Sequence, residues 1–146
     1  MWSPKLAPLP KLQQALQDSA GGPLLLFSSV AALLGSAGQA NYSAANAALD
    51  AAAASSQHAG LPACSVQWGA WAGAGMAASS DLVARKVAAL GMAMIQPAVG
   101  MAALERLLAV PAMAVSPRFL QPVAPAVPFV WGRFLSRMRQ VRMVPC

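Results

Sequence analysis

The sequence predicts an α/β fold with parallel strands. Two short, largely apolar runs without charge, at residues 24–28 and 63–68, have the length of buried strands. Between them lies an alanine-rich segment at about residues 41–58, which favours a helix. Strands that are apolar on both faces are typical of parallel sheets covered by helices on each side. The order strand, helix, strand, helix therefore indicates an α/β protein.

The remaining elements follow from turn residues and hydrophobic spacing. A short helix is expected at residues 10–18, and the turn-rich sequence DSAGGP at residues 18–23 separates it from the first strand. Gly60, Leu61 and Pro62 end the alanine-rich helix. Two further helices are expected at about residues 80–90 and 97–109, and a last strand near residues 126–131.

The composition indicates a chain whose surfaces are covered by other protein. Of 146 residues, 58% are hydrophobic and 10% are charged, whereas a free-standing domain has about 25% charged residues. No window approaches the ~18 uninterrupted apolar residues of a membrane span. Three prolines interrupt the first ten residues, where a signal peptide would have its apolar run. We therefore expect no membrane span and an intracellular, cytoplasmic location.

Metal and nucleic-acid binding are not expected. The chain has one histidine and two cysteines without short-range spacing, too few for a metal site or a disulfide framework. Its net charge is +6, and four arginines fall in the last fourteen residues. No aromatic or glycine pattern of a nucleic-acid module accompanies them, so we interpret them as a solvated linker. Asp50 and His58 are expected to be surface or local structural residues.

A strand-end serine and a helix-borne tyrosine, the two residue types that carbonyl reduction needs, form the candidate site. Ser28 and Ser29 end the first predicted strand, the single tyrosine, Tyr42, follows Ser29 by thirteen residues, and Asn46 comes four residues later. On a helix, Tyr42 and Asn46 share one face. A tyrosine hydroxyl can protonate a carbonyl oxygen that a serine hydroxyl holds in place. Each residue alone has an ordinary alternative, namely a helix cap, a packing residue or a solvent-facing amide.

The segment LLLFSSVAALLGSAGQANYSAANAALDAAA at residues 24–53 resembles the ketoreductase domain of modular type I polyketide synthases, a branch of the short-chain dehydrogenase/reductase family. The resemblance implies that Ser29 orients the substrate, Tyr42 donates the proton and Asn46 belongs to the proton relay. Lys5 lies 24 residues before Ser29, at the spacing of the family's lysine. It would hold the nicotinamide ribose and place a positive charge beside Tyr42.

Two later phrases extend the resemblance. The sequence WGAWAGAGMA at residues 68–77 is similar to the family's loop beside the nicotinamide and the substrate entrance. This similarity implies cofactor contacts from Lys5, Tyr42, Trp68 and Gly69, and substrate contacts from Ser29, Trp71 and Met76. Near the end, WGRFL at residues 131–135 is similar to the phrase that closes the domain's last strand.

The resemblance also defines expected boundaries. It implies the C-terminal part of a Rossmann-like, doubly wound parallel sheet, with residues 1–136 as the catalytic half of a ketoreductase domain and residues 137–146 as a basic tail or linker. The chain contains no G-x-G-x-x-G turn for a cofactor pyrophosphate, so we expect the N-terminal nucleotide-binding half upstream of Met1. Pro8 and Pro10 fall where the family has a helix after the lysine, so we expect that helix to begin only near Pro10 and Lys5 to be held less firmly.

The implied function is NADPH-dependent reduction of a β-ketoacyl chain carried on the phosphopantetheine arm of an acyl carrier protein. The expected partners are that carrier protein, the remaining half of the ketoreductase domain and other synthase domains. Two alternatives stay open. One is a short-chain reductase of free substrates, although such enzymes usually have Tyr-x-x-x-Lys and position 46 is asparagine. The other is a non-catalytic remnant without its own cofactor site, which the missing glycine-rich turn and low charge favour.

Overall fold

A computed structural model describes residues 2–18, 22–73, 81–109 and 122–140. Their helices and strands, in chain order, are α1 (Trp2–Leu6), α2 (Leu9–Asp18), β1 (Leu24–Ser29), α3 (Ala31–Leu34), α4 (Ala40–His58), β2 (Ala63–Trp68), α5 (Asp81–Ala89), α6 (Pro97–Ala109), β3 (Val123–Ala126) and α7 (Trp131–Gln140). The predicted strands at 24–28 and 63–68 and the predicted helices at 41–58, 80–90 and 97–109 are confirmed within one residue or so.

The three strands form one parallel sheet in the order β1-β2-β3. Phe27 pairs with Val66 and Ser29 with Trp68, so β1 and β2 end at the same edge. Parallel pairing of consecutive strands requires a crossover between them, and α4 provides it. The predicted α/β class with parallel strands is confirmed.

The chain divides into two compact units. The first, Met1–Trp68 with Ala103–Ala126, contains the whole sheet. Its core is a cluster of aliphatic side chains from α2, β1, α4 and β2, namely Leu9, Leu24, Leu26, Leu49, Ala53 and Ala63. Ala45, Leu49 and Ala53 recur every fourth residue along α4, and this spacing directs one face of the helix onto the sheet.

The second unit, Gly69–Ala102 with Val127–Cys146, is held by aromatic and backbone contacts. Phe129, Trp131 and Phe134 form a cluster with ring centroids 4.7–6.0 Å apart. Gly91 has φ +74° and lies against the backbone of Phe134, where an added Cβ would come within 2.4 Å of the amide nitrogen. Only glycine satisfies both conditions.

The prediction of a last strand at residues 126–131 is wrong. The strand is β3, Val123–Ala126, and the WGRFL phrase lies in α7. The Pro128 carbonyl accepts the Ala93 N–H and the Val130 N–H donates to the Gly91 carbonyl, each at 2.8 Å, so this backbone bonds to another loop instead of to β2. The Val130 carbonyl then accepts the N–H groups of Arg133 and Phe134 at 2.9 and 3.0 Å, which begins a helical turn. The same helix continues beyond residue 136, where the sequence suggested a tail, and residues 141–146 lie outside the described residues.

The three N-terminal prolines lie in the first turn of a helix or between helices: Pro4 in α1, Pro10 in α2 and Pro8 between them. The chain turns at Ala7 and Pro8, and α2 begins at Leu9, as expected for a helix starting near Pro10. In the first turn of a helix the missing proline N–H removes no intrahelical bond. Across the described ranges, no helix is both long and apolar enough to cross a bilayer.

Candidate active site

The first unit brings together the lysine, the strand-end serines, the tyrosine and the asparagine. β1 carries Ser28 and Ser29 to its carboxyl end, and the bond from Val30 N–H to the Trp68 carbonyl, at 2.9 Å, continues the ladder to β2. Tyr42 lies in the first turn of α4, where its N–H donates to Asn41 Oδ1 at 2.8 Å. In an open parallel sheet, ligands bind beyond the carboxyl ends of the strands.

Asn46 is the central residue of the polar cluster. Its side chain is fully buried, with 0% exposure. Its Nδ2 donates to the Tyr42 carbonyl at 2.8 Å, and its Oδ1 accepts a hydrogen bond from Lys5 Nζ at 2.6 Å. A buried amide needs such partners on both atoms to offset its desolvation. The solvent-facing alternative for Asn46 is therefore wrong.

Lys5 is held by two hydrogen bonds although two prolines follow it closely. Besides the bond to Asn46, its Nζ donates to the Phe27 carbonyl on β1 at 3.1 Å. The same nitrogen lies 5.6 Å from the ring centroid of Tyr42, within the range of a cation–π contact. The expectation that Lys5 would be held less firmly is wrong, because the break falls after α1. An ammonium group has three hydrogens, so these two bonds leave one for a ligand.

The two serines at the end of β1 have different partners. Ser28 is buried and its hydroxyl donates to the Asn46 carbonyl at 3.1 Å. Ser29 is half-buried, and its Oγ accepts the N–H of Ala31 at 3.2 Å. This bond places Ser29 Oγ beside the first residue of α3, whose N-cap is Val30 rather than Ser29, and leaves the hydroxyl hydrogen able to donate elsewhere.

The residues predicted around the cofactor and substrate fall in different units. Trp68 is buried at the end of β2, and its ring centroid lies 5.7 Å from that of Phe27. Gly69 and Trp71 belong to the second unit. There the Trp71 ring occupies the space above Gly100, where an added Cβ would lie 2.2 Å from a ring carbon. Met76 lies outside the described residues.

Asp50 has a larger structural role than the sequence suggested. It is half-buried, and its two carboxylate oxygens accept hydrogen bonds from Ser65 Oγ at 2.7 Å and Gln67 Nε2 at 2.8 Å. The one available signal was its position four residues after Asn46, which places both on the same face of α4. Within the described residues, no group of three histidine, cysteine or acidic side chains lies close enough to bind a metal ion.

The parallel sheet and the Ser-Tyr-Lys-Asn set define a Rossmann-like α/β domain of the short-chain dehydrogenase/reductase type. A family model described as the KR domain matches residues 1–73, half of the chain. The chain therefore belongs to the KR domain family, the ketoreductase domains of polyketide synthases.

Similar proteins agree with this family. Polyketide synthase GfsB of Streptomyces halstedii is 43% identical over 117 residues, which cover 79% of this chain and 2% of that protein. Spectinabilin polyketide synthase system protein NorB of Streptomyces orinoci is 55% identical over 71 residues, or 48% of this chain and 3% of that protein. The chain thus spans only a few per cent of the length of these relatives.

Solved ketoreductase structures have the same fold. A structure of A-type ketoreductases from a modular polyketide synthase superposes with a TM-score of 0.78 at 31% identity, covering 95% of this chain and 27% of that one. The PlmKR1 ketoreductase from the first module of phoslactomycin biosynthesis in Streptomyces sp. HK803 superposes with a TM-score of 0.75 at 30% identity, and the match covers 99% of this chain and 31% of that one.

Proposed function

We propose that this chain is the catalytic part of a ketoreductase that reduces a β-keto group to an alcohol, with NADPH as the hydride donor. The substrate is an acyl chain bound as a thioester to the phosphopantetheine arm of an acyl carrier protein. The observation that carries the proposal is the cluster in which Lys5 Nζ contacts Asn46 at 2.6 Å and lies 5.6 Å from the Tyr42 ring centroid. Membership of the KR domain family supports this reaction class.

The chemistry of the cluster fits the nicotinamide end of such a cofactor. The remaining hydrogen of the Lys5 ammonium and the hydroxyl of Tyr42 are suited to bind ribose hydroxyl groups. Trp68 and Gly69, at the carboxyl end of β2 and just beyond it, would flank the nicotinamide. When bound, NADPH supplies the hydride to the carbonyl carbon.

The residues of this chain would protonate the carbonyl oxygen of the substrate and hold it in place. The Tyr42 hydroxyl donates its proton to the substrate oxygen, and the Ser29 hydroxyl donates a hydrogen bond to the same oxygen. Because Ser29 Oγ already accepts the Ala31 N–H, its hydroxyl hydrogen can point toward substrate. Afterwards the Lys5 ammonium, held by Asn46, passes a proton to the Tyr42 oxygen and is itself reprotonated from solvent, and its positive charge stabilises the tyrosine oxygen meanwhile.

The proposed partners follow from the same reaction. Trp71 and Met76 would contact the acyl chain, and the acyl carrier protein and other synthase domains would deliver and receive it. The solved ketoreductases contain much more chain than the part this sequence covers. We therefore propose that it works with the remaining half of a ketoreductase domain, whether joined to it or supplied separately.

The test compares the natural protein with its Tyr42→Phe variant. The natural protein is the product of the whole reading frame, and a long-read transcript across the codon for Met1 shows where that frame begins. Turnover of a β-ketoacyl thioester is followed by NADPH oxidation, and NADPH affinity by calorimetry. The variant should lose about 10²–10⁴-fold in kcat, the usual contribution of general acid catalysis, while NADPH affinity falls no more than about tenfold, the loss of one hydrogen bond to the ribose.

Three outcomes would contradict parts of the proposal. Turnover near the natural rate in the phenylalanine variant would remove Tyr42 from its role. Equal kcat/KM for a free ketone and for the carrier-bound thioester would favour a reductase of free substrates. Absence of both NADPH binding and turnover in the natural protein would favour the non-catalytic alternative.

A further inference from the structure

Helix α4 carries three polar residues on one face, spaced by four positions. Tyr42 and Asn46 belong to the site, whereas Asp50 lies one turn further from it. Both oxygens of Asp50 are occupied, by Ser65 Oγ at 2.7 Å and Gln67 Nε2 at 2.8 Å. The two donors are buried on β2, with exposures of 0% and 7%.

Strand β1 also forms a hydrogen bond to this turn of α4. Ser28 on β1, 5% exposed, donates its hydroxyl hydrogen to the Asn46 carbonyl at 3.1 Å. In an α-helix this carbonyl also accepts the N–H of residue 50. Hydrogen bonds from two adjacent strands therefore meet between Asn46 and Asp50.

Packing alone defines the position of α4 only weakly. The buried apolar residues of the helix are Ala45, Leu49 and Ala53, so Leu49 is the one long apolar side chain on this face, and the short side chains beside it form shallow ridges against the sheet. Hydrogen bonds at 2.7–3.1 Å are directional and tolerate little displacement. The bond from Lys5 Nζ to Asn46 Oδ1, at 2.6 Å, would not survive a slide of α4 by an ångström or more.

We propose that Asp50, together with Ser28, is a positioning residue that fixes the rotation and translation of α4 on the sheet. It thereby sets the position of Tyr42 and of the Asn46 amide relative to Lys5. The catalytic consequence rests on the proposed ketoreductase function. The structural consequence, a displaced Asn46 side chain when these bonds are lost, does not depend on it.

The central variant is Asp50→Leu, which removes both acceptors and keeps the number and branching of the side-chain heavy atoms. The conservative variant is Asp50→Asn, because an asparagine oxygen can still accept from Ser65 while the Gln67 amide turns over to accept from the new NH₂ group. The matched control is Gln57→Met. Gln57 also joins α4 to β2, through Nε2 and the Ala63 carbonyl at 2.6 Å, but at the far end of the helix.

Two readouts are measured on the natural protein and each variant. One is the side-chain amide signal of Asn46 in a ¹⁵N-labelled sample. The other is kcat and KM for the β-ketoacyl thioester with NADPH. Asp50→Leu should shift the Asn46 signal and lower kcat about tenfold to a hundredfold with KM nearly unchanged, as for a misplaced catalytic group. Asp50→Asn and Gln57→Met should keep kcat within about threefold and leave the Asn46 signal in place.

If Asp50→Leu does not fold, Ser28→Ala decides the question. The Asn46 carbonyl keeps its helical bond in that variant, so little stability should be lost, and the Asn46 signal should still move. The proposal is overturned if the Asn46 amide signal does not move in the folded Asp50→Leu and Ser28→Ala variants. It is also overturned if Gln57→Met shifts this signal as far as they do. A natural protein without reductase activity refutes the proposed function instead, because the amide signal needs neither cofactor nor substrate.

Discussion

The hydrogen bond between Lys5 and Asn46 should make a measurable contribution to stability as well as to the site. We consider Lys5→Met and Asn46→Leu, alone and combined. Lys5 Nζ donates to Asn46 Oδ1 at 2.6 Å, and Asn46 is 0% exposed. A hydrogen bond to a charged group contributes about 1.5–3 kcal/mol, and a buried polar atom left without its partner costs about 1–3 kcal/mol.

These magnitudes give an expected result for each variant. Lys5→Met leaves Asn46 Oδ1 buried and unpaired, so the free energy of unfolding should fall by about 1–3 kcal/mol. Asn46→Leu also removes the bond from Nδ2 to the Tyr42 carbonyl, for a loss of about 2–4 kcal/mol in all. The double variant should lose about 1–2 kcal/mol less than the sum, because the shared bond can be broken only once.

The assay is urea unfolding of the four proteins, followed by far-ultraviolet circular dichroism. Lys11→Met is the matched control, since Lys11 is an exposed lysine of the adjacent helix α2. Its effect should add to that of Asn46→Leu within about 0.5 kcal/mol. If the Lys5 and Asn46 changes are equally additive, the hydrogen bond between the two side chains does not stabilise the fold.

Two further predictions concern packing and a buried thiol. Gly100→Ala should destabilise the protein by about 1–3 kcal/mol through overpacking, because its Cβ would lie 2.2 Å from the Trp71 ring. The control is Gly22→Ala, whose Cβ would have no atom within 4 Å and which should not destabilise the protein. Equal urea unfolding midpoints for the two variants would contradict this prediction. Burial raises the pKa of the Cys64 thiol, so in a Cys146→Ser background iodoacetamide should modify Cys64 only upon unfolding. At a pH where the thiol of the unfolded chain has ionised, Cys64 in the folded protein still keeps its proton. The free energy of unfolding should therefore fall as the pH rises through the ordinary thiol range, and Cys64→Ala should abolish that fall.

Much of the local structure could be predicted from the sequence. The β1 and β2 strands are short apolar runs bounded by turn residues, and α4 is rich in alanine, so their propensities and their burial agree. Where such signals conflict, prediction failed. The segment at residues 126–131 is apolar enough for a strand, yet its backbone at Pro128 and Val130 bonds to Ala93 and Gly91, and the turn at Val130 starts α7 at Trp131.

The candidate site was only partly predictable for the same reason. A separation of four residues on a helix places Tyr42 and Asn46 together whatever the fold. No such rule covers the bonds of Asp50 to Ser65 and Gln67, which join residues 15 and 17 positions apart. These bonds exist because β2 passes beneath α4.

The sequence by itself determined the α/β class, the strand-end serines and the shared face of Tyr42 and Asn46, because strand and helix geometry is local and repeats at fixed intervals. Only the tertiary structure decided that Lys5, 41 residues before Asn46, donates to its amide. It also decided that Asn46 is buried rather than solvent-facing and that Asp50 joins α4 to β2. Such contacts depend on how whole elements pack, and packing is a property of the assembled chain.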